Sequence, residues 1–265
     1  MPPSNEERLV LYEAKDGIAT LTLNRPQRLN AWTQALSTCY FDLLEQADAD
    51  RDVRVIVVTG AGRGFTAGAD MDVLQGNQAG RARSDARPQT FPLTIRKPLL
   101  AAINGPCAGI GLVLALTCDV RFAAAGAKFT TAFSRRGLVA EHGSSWLLPR
   151  LIGHAAALDL LLSGRVFLAE EALAIGLVNR VYEPDRLLPE AYAYARELAT
   201  QCSPAAMAEI KEQVYAAYEQ RLDDAVAEAN RRMAASFGRP DFKEGVSSFM
   251  EKRPPAFPGL PPRSR

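Results

Sequence analysis

Residues 53–70 read VRVIVVTGAGRGFTAGAD, and a related pattern returns at residues 99–116, which read LLAAINGPCAGIGLVLAL. Each stretch begins with a run of apolar residues, as is typical of a parallel strand that is covered on both faces. Each run then enters a glycine-rich turn, and the second turn opens an apolar helix that continues through Leu116. A strand, a glycine turn and a helix in succession favour an α/β fold with the turns at the carboxyl edge of a sheet.

The residues before the first stretch predict a hairpin and a helix. Two β-rich runs, Leu9–Tyr12 and Ile18–Leu23, flank the sequence Lys15-Asp16-Gly17. An Asp-Gly pair between two such runs is a strong hairpin signal. From Thr33, a residue type suited to cap a helix, apolar residues follow at helical spacing as far as Ala47.

The residues after the second stretch predict short strands and then mostly helices. Strands are expected at 118–123, 127–131 and 178–181, and helices at 145–151, 155–162 and 169–175. Alanine-rich helices are expected between Leu187 and Met250, with Ser203 and Pro204 as one N-cap and first helical residue. We therefore expect a core at residues 1–185 and a helical C-terminal region at 186–265.

One internal segment has no periodicity. Residues 76–89 are polar, contain Arg81, Arg83 and Arg87, and are interpreted as a mobile surface segment. A segment of this kind is a candidate lid over a binding site, although it contains no residue diagnostic of such a role.

Charge and hydropathy exclude several classes of function. The chain has 31 Lys and Arg residues against 30 Asp and Glu residues, a formal net charge of +1. This balance argues against nucleic acid and anionic membranes as partners. Apolar runs stop well short of the roughly 20 residues that a membrane span needs. Pro2, Pro3 and charged residues stand where the apolar core of a signal peptide would lie, so a cytoplasmic protein is expected.

Cysteine and histidine spacing argues against metal chemistry. The four cysteines are widely spaced with no C-x-x-C motif, which favours free thiols over disulfides or a zinc knuckle. The two histidines, His142 and His154, lie twelve positions apart and match no common spacing of metal ligands. No metal site is expected.

The two glycine turns place backbone N–H groups at the sheet edge where open α/β folds bind ligands. Neither turn matches a phosphate loop: Gly60-Ala61-Gly62-Arg63-Gly64 lacks the last glycine of the dinucleotide motif, and no Gly-Lys-Ser/Thr occurs. On the residues alone, ordinary strand-to-helix geometry and a ligand-binding role for these turns both stay open.

A set of motifs spread in order over nearly the whole chain resembles the crotonase (enoyl-CoA hydratase/isomerase) superfamily. The motifs are Asn24-Arg25-Pro26, Leu29-Asn30-Ala31, Ala67-Gly68-Ala69-Asp70, Asn104-Gly105, Gly109-x-Gly111, Cys118-Asp119, Leu161-x-Ser163-Gly164, Gly176-Leu177-Val178 and Phe249-Met250-Glu251-Lys252-Arg253. The resemblance implies an α/β fold of the crotonase type, a spiral of ββα units with a helical C-terminal trimerisation region. It also implies an acyl-CoA thioester as substrate, no further cofactor, and a homotrimer or dimer of trimers.

The resemblance assigns roles to individual residues. The backbone N–H groups of Ala69 and Ile110 are expected to form an oxyanion hole for the thioester carbonyl. Ile110 stands where a glycine is more common in the family, which a backbone donor tolerates. Substrate-binding positions are implied at Arg28, Leu29, Ala67, Asp70, Met71, Phe133, Phe249 and Lys252. For Asp70, a structural carboxylate is the competing interpretation, and for Phe249 and Lys252 it is a solvated amphipathic helix.

The acid–base residues depart from the hydratase pattern. The two glutamates of a hydratase correspond here to Val113 and Phe133, which are apolar. A different carboxylate, Glu141, lies in a segment that resembles the Δ3,Δ2-enoyl-CoA isomerases, which carry a single catalytic glutamate there. Ring-modifying acyl-CoA isomerases have an aspartate at that place. Without the resemblance, Glu141 has the competing interpretation of a solvated loop carboxylate or a partner for a helix N-terminus.

The sequence therefore predicts an isomerase that moves a proton beside a thioester. A hydratase that uses Glu141, with or without His142, is the first alternative. A non-catalytic acyl-CoA-binding scaffold is the alternative from another class.

Overall fold

The computed structural model describes residues 8–76 and 85–263 and has the mixed α/β character that the sequence predicts. The strands in these ranges are β1 (Val10–Lys15), β2 (Ile18–Leu23), β3 (Val55–Gly60), β4 (Leu99–Ile103), β5 (Cys107–Ala108), β6 (Val120–Ala124), β7 (Lys128–Thr130), β8 (Phe167–Leu168) and β9 (Arg180–Tyr182). The helices are α1 (Gln34–Ala49), α2 (Met71–Leu74), α3 (Ile110–Leu116), α4 (Ser144–Ile152), α5 (His154–Ser163), α6 (Ala169–Ala174), α7 (Leu187–Gln201), α8 (Pro204–Ala217), α9 (Leu222–Ser236) and α10 (Pro240–Glu251).

The described strands form one six-stranded sheet, in the order β1-β2-β3-β4-β6-β9, and one three-stranded sheet, in the order β5-β7-β8. In the larger sheet only β1 runs antiparallel to its neighbour. The predicted hairpin is confirmed: Asp16 and Gly17 join β1 to β2, and both have positive φ. A two-residue turn with positive φ at both positions matches the right-handed twist of the strands that it connects.

The prediction of a buried strand at the start of each glycine-turn stretch is confirmed. All residues of β3 and β4 are buried, so helices and loops cover both faces of the sheet here. Helix α1 packs against β1 and β2, and the hydroxyl of Thr33 caps it by accepting from the N–H of Leu36. Helix α7 packs against β3, β4 and β6. The sheet is therefore held between α1, α7 and the loops that carry the site.

Several predicted element boundaries move by two residues for identifiable reasons. The expected strand at 178–181 is β9, which starts at Arg180 because the N–H groups of Leu177 and Val178 both turn back to the carbonyl of Ala172. The expected strand at 118–123 starts at Val120 because the N–H of Cys118 still bonds the carbonyl of Ala115. In both cases the end of a helix uses the first N–H groups of the expected strand.

Residues 76–89 are predicted to be a mobile surface segment, and 77–84 of these lie outside the described residues. Its end, residues 85–89, is held in place. Arg87 contacts Asp85 at 2.6 Å and Glu45 at 3.0 Å, and its guanidinium lies over the rings of Phe41 and Phe91. The last residues of the segment are therefore fixed against α1.

The C-terminal region begins with α7, whose buried residues Leu187, Ala191, Ala195 and Ala199 face the sheet. Ser203 caps α8 as predicted, accepting from the N–H of Ala206, and Pro204 is the first helical residue. The proposed boundary near residue 185 lies between β9 and α7. No helix of the described chain has both the length and the apolar composition that a membrane crossing requires.

Candidate active site

The two glycine turns lie side by side. The N–H of Thr66 donates to the carbonyl of Pro106 at 3.0 Å, and the N–H of Ala108 donates to the carbonyl of Thr66 at 3.1 Å. This parallel bridge pairs Thr66 with Cys107. Counting three residues onward from each member of the pair gives Ala69 on one turn and Ile110 on the other. The bridge therefore places the two predicted oxyanion-hole residues at equivalent positions of neighbouring segments.

Close approach of the turns depends on Gly68. Its φ is +98°, a conformation that side chains rarely adopt, and a Cβ there would lie 2.9 Å from the carbonyl oxygen of Ala108. Gly109 has φ +51° and ψ −120°, a combination that is also open to glycine and disfavoured for other residues. Two glycines thus set the path of the chain immediately before each candidate donor.

The N–H groups of Ala69 and Ile110 have no acceptor among the described residues. Trp32 and Ala69 form a parallel bridge in which the N–H of Trp32 donates to the carbonyl of Gly68 and the N–H of Asp70 donates to the carbonyl of Trp32. In this pattern the N–H of Ala69 itself points away from Trp32. Ile110 is the first residue of α3, where helical N–H groups have no partner within the helix. Both residues line the same cavity, so two backbone donors without a partner belong to its wall.

This cavity has a volume of about 600 Å³ and is bounded by both turns, the start of α1 and the loop after β7. Its apolar wall includes Leu9, Trp32, Phe133 and Leu138, and its polar groups include Arg25, Gln89, Arg136, Glu141 and His142. A mostly apolar cleft with a few convergent polar groups is the usual form of a small-molecule site.

Among the described residues that line the cavity, Glu141 provides the only carboxylate. Its side chain is 33% exposed, so it is accessible from the cavity and from solvent. The carbonyl of Glu141 accepts from the N–H of Ser144 at 2.9 Å, which closes a turn at the start of α4. The Nε2 atom of His142 lies 3.4 Å from Oε2 of Glu141. The predicted catalytic carboxylate, that of Glu141, and the additional acid–base candidate, His142, are therefore neighbours at the site.

The two apolar residues at the hydratase positions have different places. Phe133 is buried and lines the cavity, with its ring 4.0 Å from where a Cβ on Gly109 would lie. Val113 is buried on α3 and does not line the cavity. The cavity therefore has an aromatic ring, that of Phe133, at the second of the two hydratase positions, and there is no ionisable group at either position.

Asp70 is an internal partner of Arg25. The Nη2 atom of Arg25 lies 2.9 Å from Oδ2 of Asp70, and Oδ1 accepts from the N–H of Asp72 at 3.1 Å. Burial by itself raises the pKa of the Asp70 carboxyl, but the Asp72 N–H and the Arg25 guanidinium together bring that pKa below its ordinary value. Asp70 does not line the cavity, whereas Arg25 does. The geometry agrees with the structural interpretation of Asp70.

Other predicted substrate-binding residues lie around the turns without lining the cavity. Arg28 forms an exposed ion pair with Asp72 at 3.3 Å. The carbonyl of Leu29 accepts from the N–H of Ala67 at 3.0 Å, and Met71 is exposed. Because none of these residues lines the cavity, their roles toward a substrate stay predictions.

The last two predicted residues lie at the C-terminal end of α10. Phe249 is 82% exposed, and Lys252 ends α10 with a left-handed backbone conformation. Neither lines the cavity. A contact with substrate from this helix stays a prediction, for this chain or for a neighbouring subunit.

Sequence reasoning missed Arg25, Gln89 and Arg136 as lining residues. Arg25 was visible only as part of a motif, and Gln89 lies at the end of a segment without pattern. Arg136 follows Phe133 by three residues and ends a short 3₁₀ turn. This spacing from a predicted substrate-binding residue was the one signal in the sequence that Arg136 also lines the cavity. Its guanidinium makes no ion pair or hydrogen bond with the described residues.

Thiol and metal chemistry find no support in the described residues. All four cysteines are free; Cys107 and Cys118 are buried, and Cys39 and Cys202 are half-buried. Burial raises the pKa of the Cys107 thiol well above its ordinary value, and it raises the pKa of the Cys118 thiol to about 12. Both thiols are therefore poor nucleophiles. Across residues 8–76 and 85–263, no three His, Cys, Asp or Glu side chains are grouped as a metal ion would require.

Comparison with known proteins places this chain in a family. The family model described as enoyl-CoA hydratase/isomerase matches residues 13–260. The chain is 38% identical to a 1,2-epoxyphenylacetyl-CoA isomerase of Escherichia coli, over 94% of this chain and 98% of that protein. It is 55% identical to an enoyl-CoA hydratase structure from Mycobacterium marinum (TM-score 0.69), which covers 78% of this chain and 96% of that one.

A structure of a probable enoyl-CoA hydratase/isomerase from Mycobacterium abscessus is similar over a greater length. It has a TM-score of 0.85 and 31% identity, and the match covers 95% of this chain and 99% of that one. These similarities confirm the crotonase fold that the sequence motifs imply. The chain therefore belongs to the enoyl-CoA hydratase/isomerase family.

Proposed function

We propose that the protein is an enoyl-CoA isomerase that moves a double bond from the 3,4 to the 2,3 position of an acyl-CoA thioester. The observation that carries the proposal is the pairing, in one cavity, of two unused backbone donors with the single lining carboxylate, that of Glu141. In this mechanism the Glu141 carboxylate takes a proton from C2 of the substrate. It then returns that proton to C4.

The negative charge of the dienolate intermediate resides largely on the thioester oxygen. The N–H groups of Ala69 and Ile110 donate to that oxygen, and each preorganised donor of this kind contributes on the order of 3 kcal/mol to stabilising the transition state. The donors are held by the Thr66–Cys107 bridge and by Gly68 and Gly109, so they need no reorganisation during the reaction. Burial of the reacting atoms beside Trp32 and Phe133 strengthens these interactions because it lowers the local dielectric.

One carboxylate is enough for this reaction because the same group abstracts and returns the proton. Water addition, in contrast, needs groups that activate water and deliver a proton. The apolar Phe133 and Val113 stand where the resemblance implies the two hydratase glutamates. Their chemistry favours isomerisation over a two-glutamate hydration.

The CoA portion of the substrate is proposed to extend from the cavity toward basic and aromatic residues at the rim. Arg28 is the candidate near the nucleotide, and Phe249 and Lys252 are the candidates for the adenosine end. A lysine near the 3′-phosphate is favourable on electrostatic grounds. Because neither Phe249 nor Lys252 lines the cavity of its own chain, this role fits a neighbouring subunit of a homotrimer.

A trimer is also supported by the surface of the C-terminal helices. Large apolar side chains are exposed on both α9 and α10, namely Leu222, Val226, Met233, Phe242, Val246, Phe249 and Met250. Exposed apolar surface of this extent is typical of a protein–protein contact.

Hydration is the second candidate function, and the Glu141–His142 pair favours it. Two adjacent acid–base side chains 3.4 Å apart provide one group to activate water and another to deliver a proton. The relatives compared above include one named as a hydratase, one named as a probable hydratase/isomerase and one named as an isomerase of 1,2-epoxyphenylacetyl-CoA, so the names of similar chains do not favour one reaction.

The deciding experiment supplies the purified protein with 3-enoyl-CoA and 2-enoyl-CoA in separate reactions. Isomerisation of the 3-enoyl substrate, with little water addition to the 2-enoyl substrate, is the expected result. Hydration of 2-enoyl-CoA without any migration of the double bond in 3-enoyl-CoA would reject the isomerase proposal.

A further inference from the structure

His142 stands beside the proposed base in an unusual backbone conformation. Its φ is +53°, in the left-handed region, and Gly143 follows with φ +78°. Histidine tolerates this region better than most side chains do, but the conformation is still uncommon for any residue other than glycine. A residue held in this way at a cavity wall is a recognised indication of a functional constraint.

The loop is held on both sides of His142. Before it, the carbonyl of Glu141 accepts from the N–H of Ser144, and after it, Gly143 begins the first turn of α4. A Cβ on Gly143 would lie 3.1 Å from Cγ2 of Thr90, so the loop packs closely against residue 90. These contacts fix the backbone of the loop, and the imidazole lies beside the Glu141 carboxylate, with Nε2 3.4 Å from Oε2.

We infer that His142 is a positioning residue that orients the carboxylate of Glu141 and, through its own charge, controls how strong a base that carboxylate is. The inference rests on the proposed role of Glu141 as the base. It goes beyond that proposal, because the transfer of the proton by a single carboxylate does not itself require His142.

The physical reason is the difference between the two forms of an imidazole. Neutral imidazole carries no charge and leaves the carboxylate basic. Protonated imidazole adds a positive charge 3.4 Å from that oxygen, which stabilises the ionised carboxylate and weakens it as a base. Imidazoles change charge between about pH 5 and 8, so turnover is expected to decrease as pH falls through this range.

The other charged residues that line the cavity with Glu141 and His142 are arginines. Arg25 and Arg136 line the cavity and stay positively charged. Arg25 is compensated by Asp70 at 2.9 Å, and Arg136 has no partner among the described residues. Of the described residues lining the cavity, Glu141 and His142 are the ionisable groups besides these two arginines.

The test compares pH profiles of kcat and KM for four proteins: wild type, His142→Gln, His142→Ala and His154→Gln. Glutamine keeps an N–H donor of similar reach but does not titrate, whereas alanine removes both properties. His154, the other histidine of the chain, starts α5 and does not line the cavity, so its variant is the matched control. Thermal unfolding of each variant reports whether the fold is retained.

We expect His142→Ala to lower kcat by about 10- to 100-fold with little change in KM, as removal of a group that orients a catalytic residue commonly does. His142→Gln should retain kcat within about threefold at pH 8 and lose most of the decrease between pH 8 and 6 that the wild type has. His154→Gln should have the wild-type profile.

Two results would overturn the inference: a kcat of folded His142→Ala within threefold of wild type, or an unchanged pH profile in His142→Gln. The wild-type reaction identifies the activity separately. If the wild type hydrates and does not isomerise, the proposed isomerase is rejected, and the same four profiles, measured for hydration, still decide the role of His142.

Discussion

The substitution Gly68→Ala tests the proposed oxyanion hole through its geometry, without altering an ionisable group. A Cβ at this position would lie 2.9 Å from the carbonyl oxygen of Ala108, whereas ordinary contact begins near 3.4 Å. The two turns must therefore separate by roughly 0.5 Å, which is about the tolerance within which a catalytic group has to be held. That separation acts directly on the N–H of Ala69, the next residue.

The magnitude follows from two effects. Alanine at φ +98° costs about 1–3 kcal/mol of backbone strain, and the contact adds to it. For a chain of this size a loss of about 2 kcal/mol lowers Tm by about 4–8 °C. Displacement of one of two oxyanion donors should lower kcat by about 10- to 100-fold, less than the roughly 10²- to 10³-fold loss on removing a donor outright.

The assay measures kcat on 3-enoyl-CoA at a temperature where the variant is folded, with Gly126→Ala as the matched control. Gly126 also has a positive φ, +71°, but a Cβ there has no atom within 4 Å, so this variant has strain without displacement of the turns. A folded Gly68→Ala enzyme with a kcat within twofold of Gly126→Ala would refute the proposed role of the turn.

Further predictions concern charge and assembly. Glu141→Gln should lower kcat by about 100-fold or more with little change in KM, and turnover equal to wild type would show that another group is the base. The Asp70 carboxyl has a pKa below its ordinary value of 3.8. Its ionised form therefore stabilises the fold above pH 3.8, and this stabilisation is lost as pH falls through the lowered pKa. The difference in Tm between wild type and Asp70→Asn should be at its full size near pH 7 and should shrink below pH 3.8. Lys252→Glu should raise KM about three- to tenfold for a CoA ester and leave that of the pantetheine ester unchanged, since only CoA carries the 3′-phosphate; an equal rise for both esters would place Lys252 elsewhere. Light scattering should give a mass near three or six times the 28.7 kDa chain, and a monomer at micromolar concentration would contradict the proposed assembly.

Prediction from sequence succeeded where the signal is local. The Asp16-Gly17 turn, the Thr33 cap and the Ser203-Pro204 helix start each depend on a few adjacent residues, and all three are present. Helix and strand ends were less predictable because neighbouring elements compete for the same N–H groups. The carbonyl of Ala172, for example, takes two N–H groups that a longer β9 would have used.

The candidate site could be predicted in part because its chemistry is carried by motifs. Ala69, Ile110, Phe133 and Glu141, to which the resemblance assigns roles, all line one cavity, and their roles stay predictions. Gln89 and Arg136 had no such signal, since nothing near them in sequence indicates that they face the same space.

What the sequence by itself determined is the order of strands, turns and helices, the absence of a two-glutamate pair and the family. The meeting of Thr66 with Cys107, which aligns two unused N–H groups 41 residues apart, was decided by tertiary structure alone. So was the pairing of Arg25 with Asp70 across 45 residues. The physical reason is that local propensity acts over a few residues, whereas these contacts exist only after parallel strands from distant parts of the chain have been packed into one sheet.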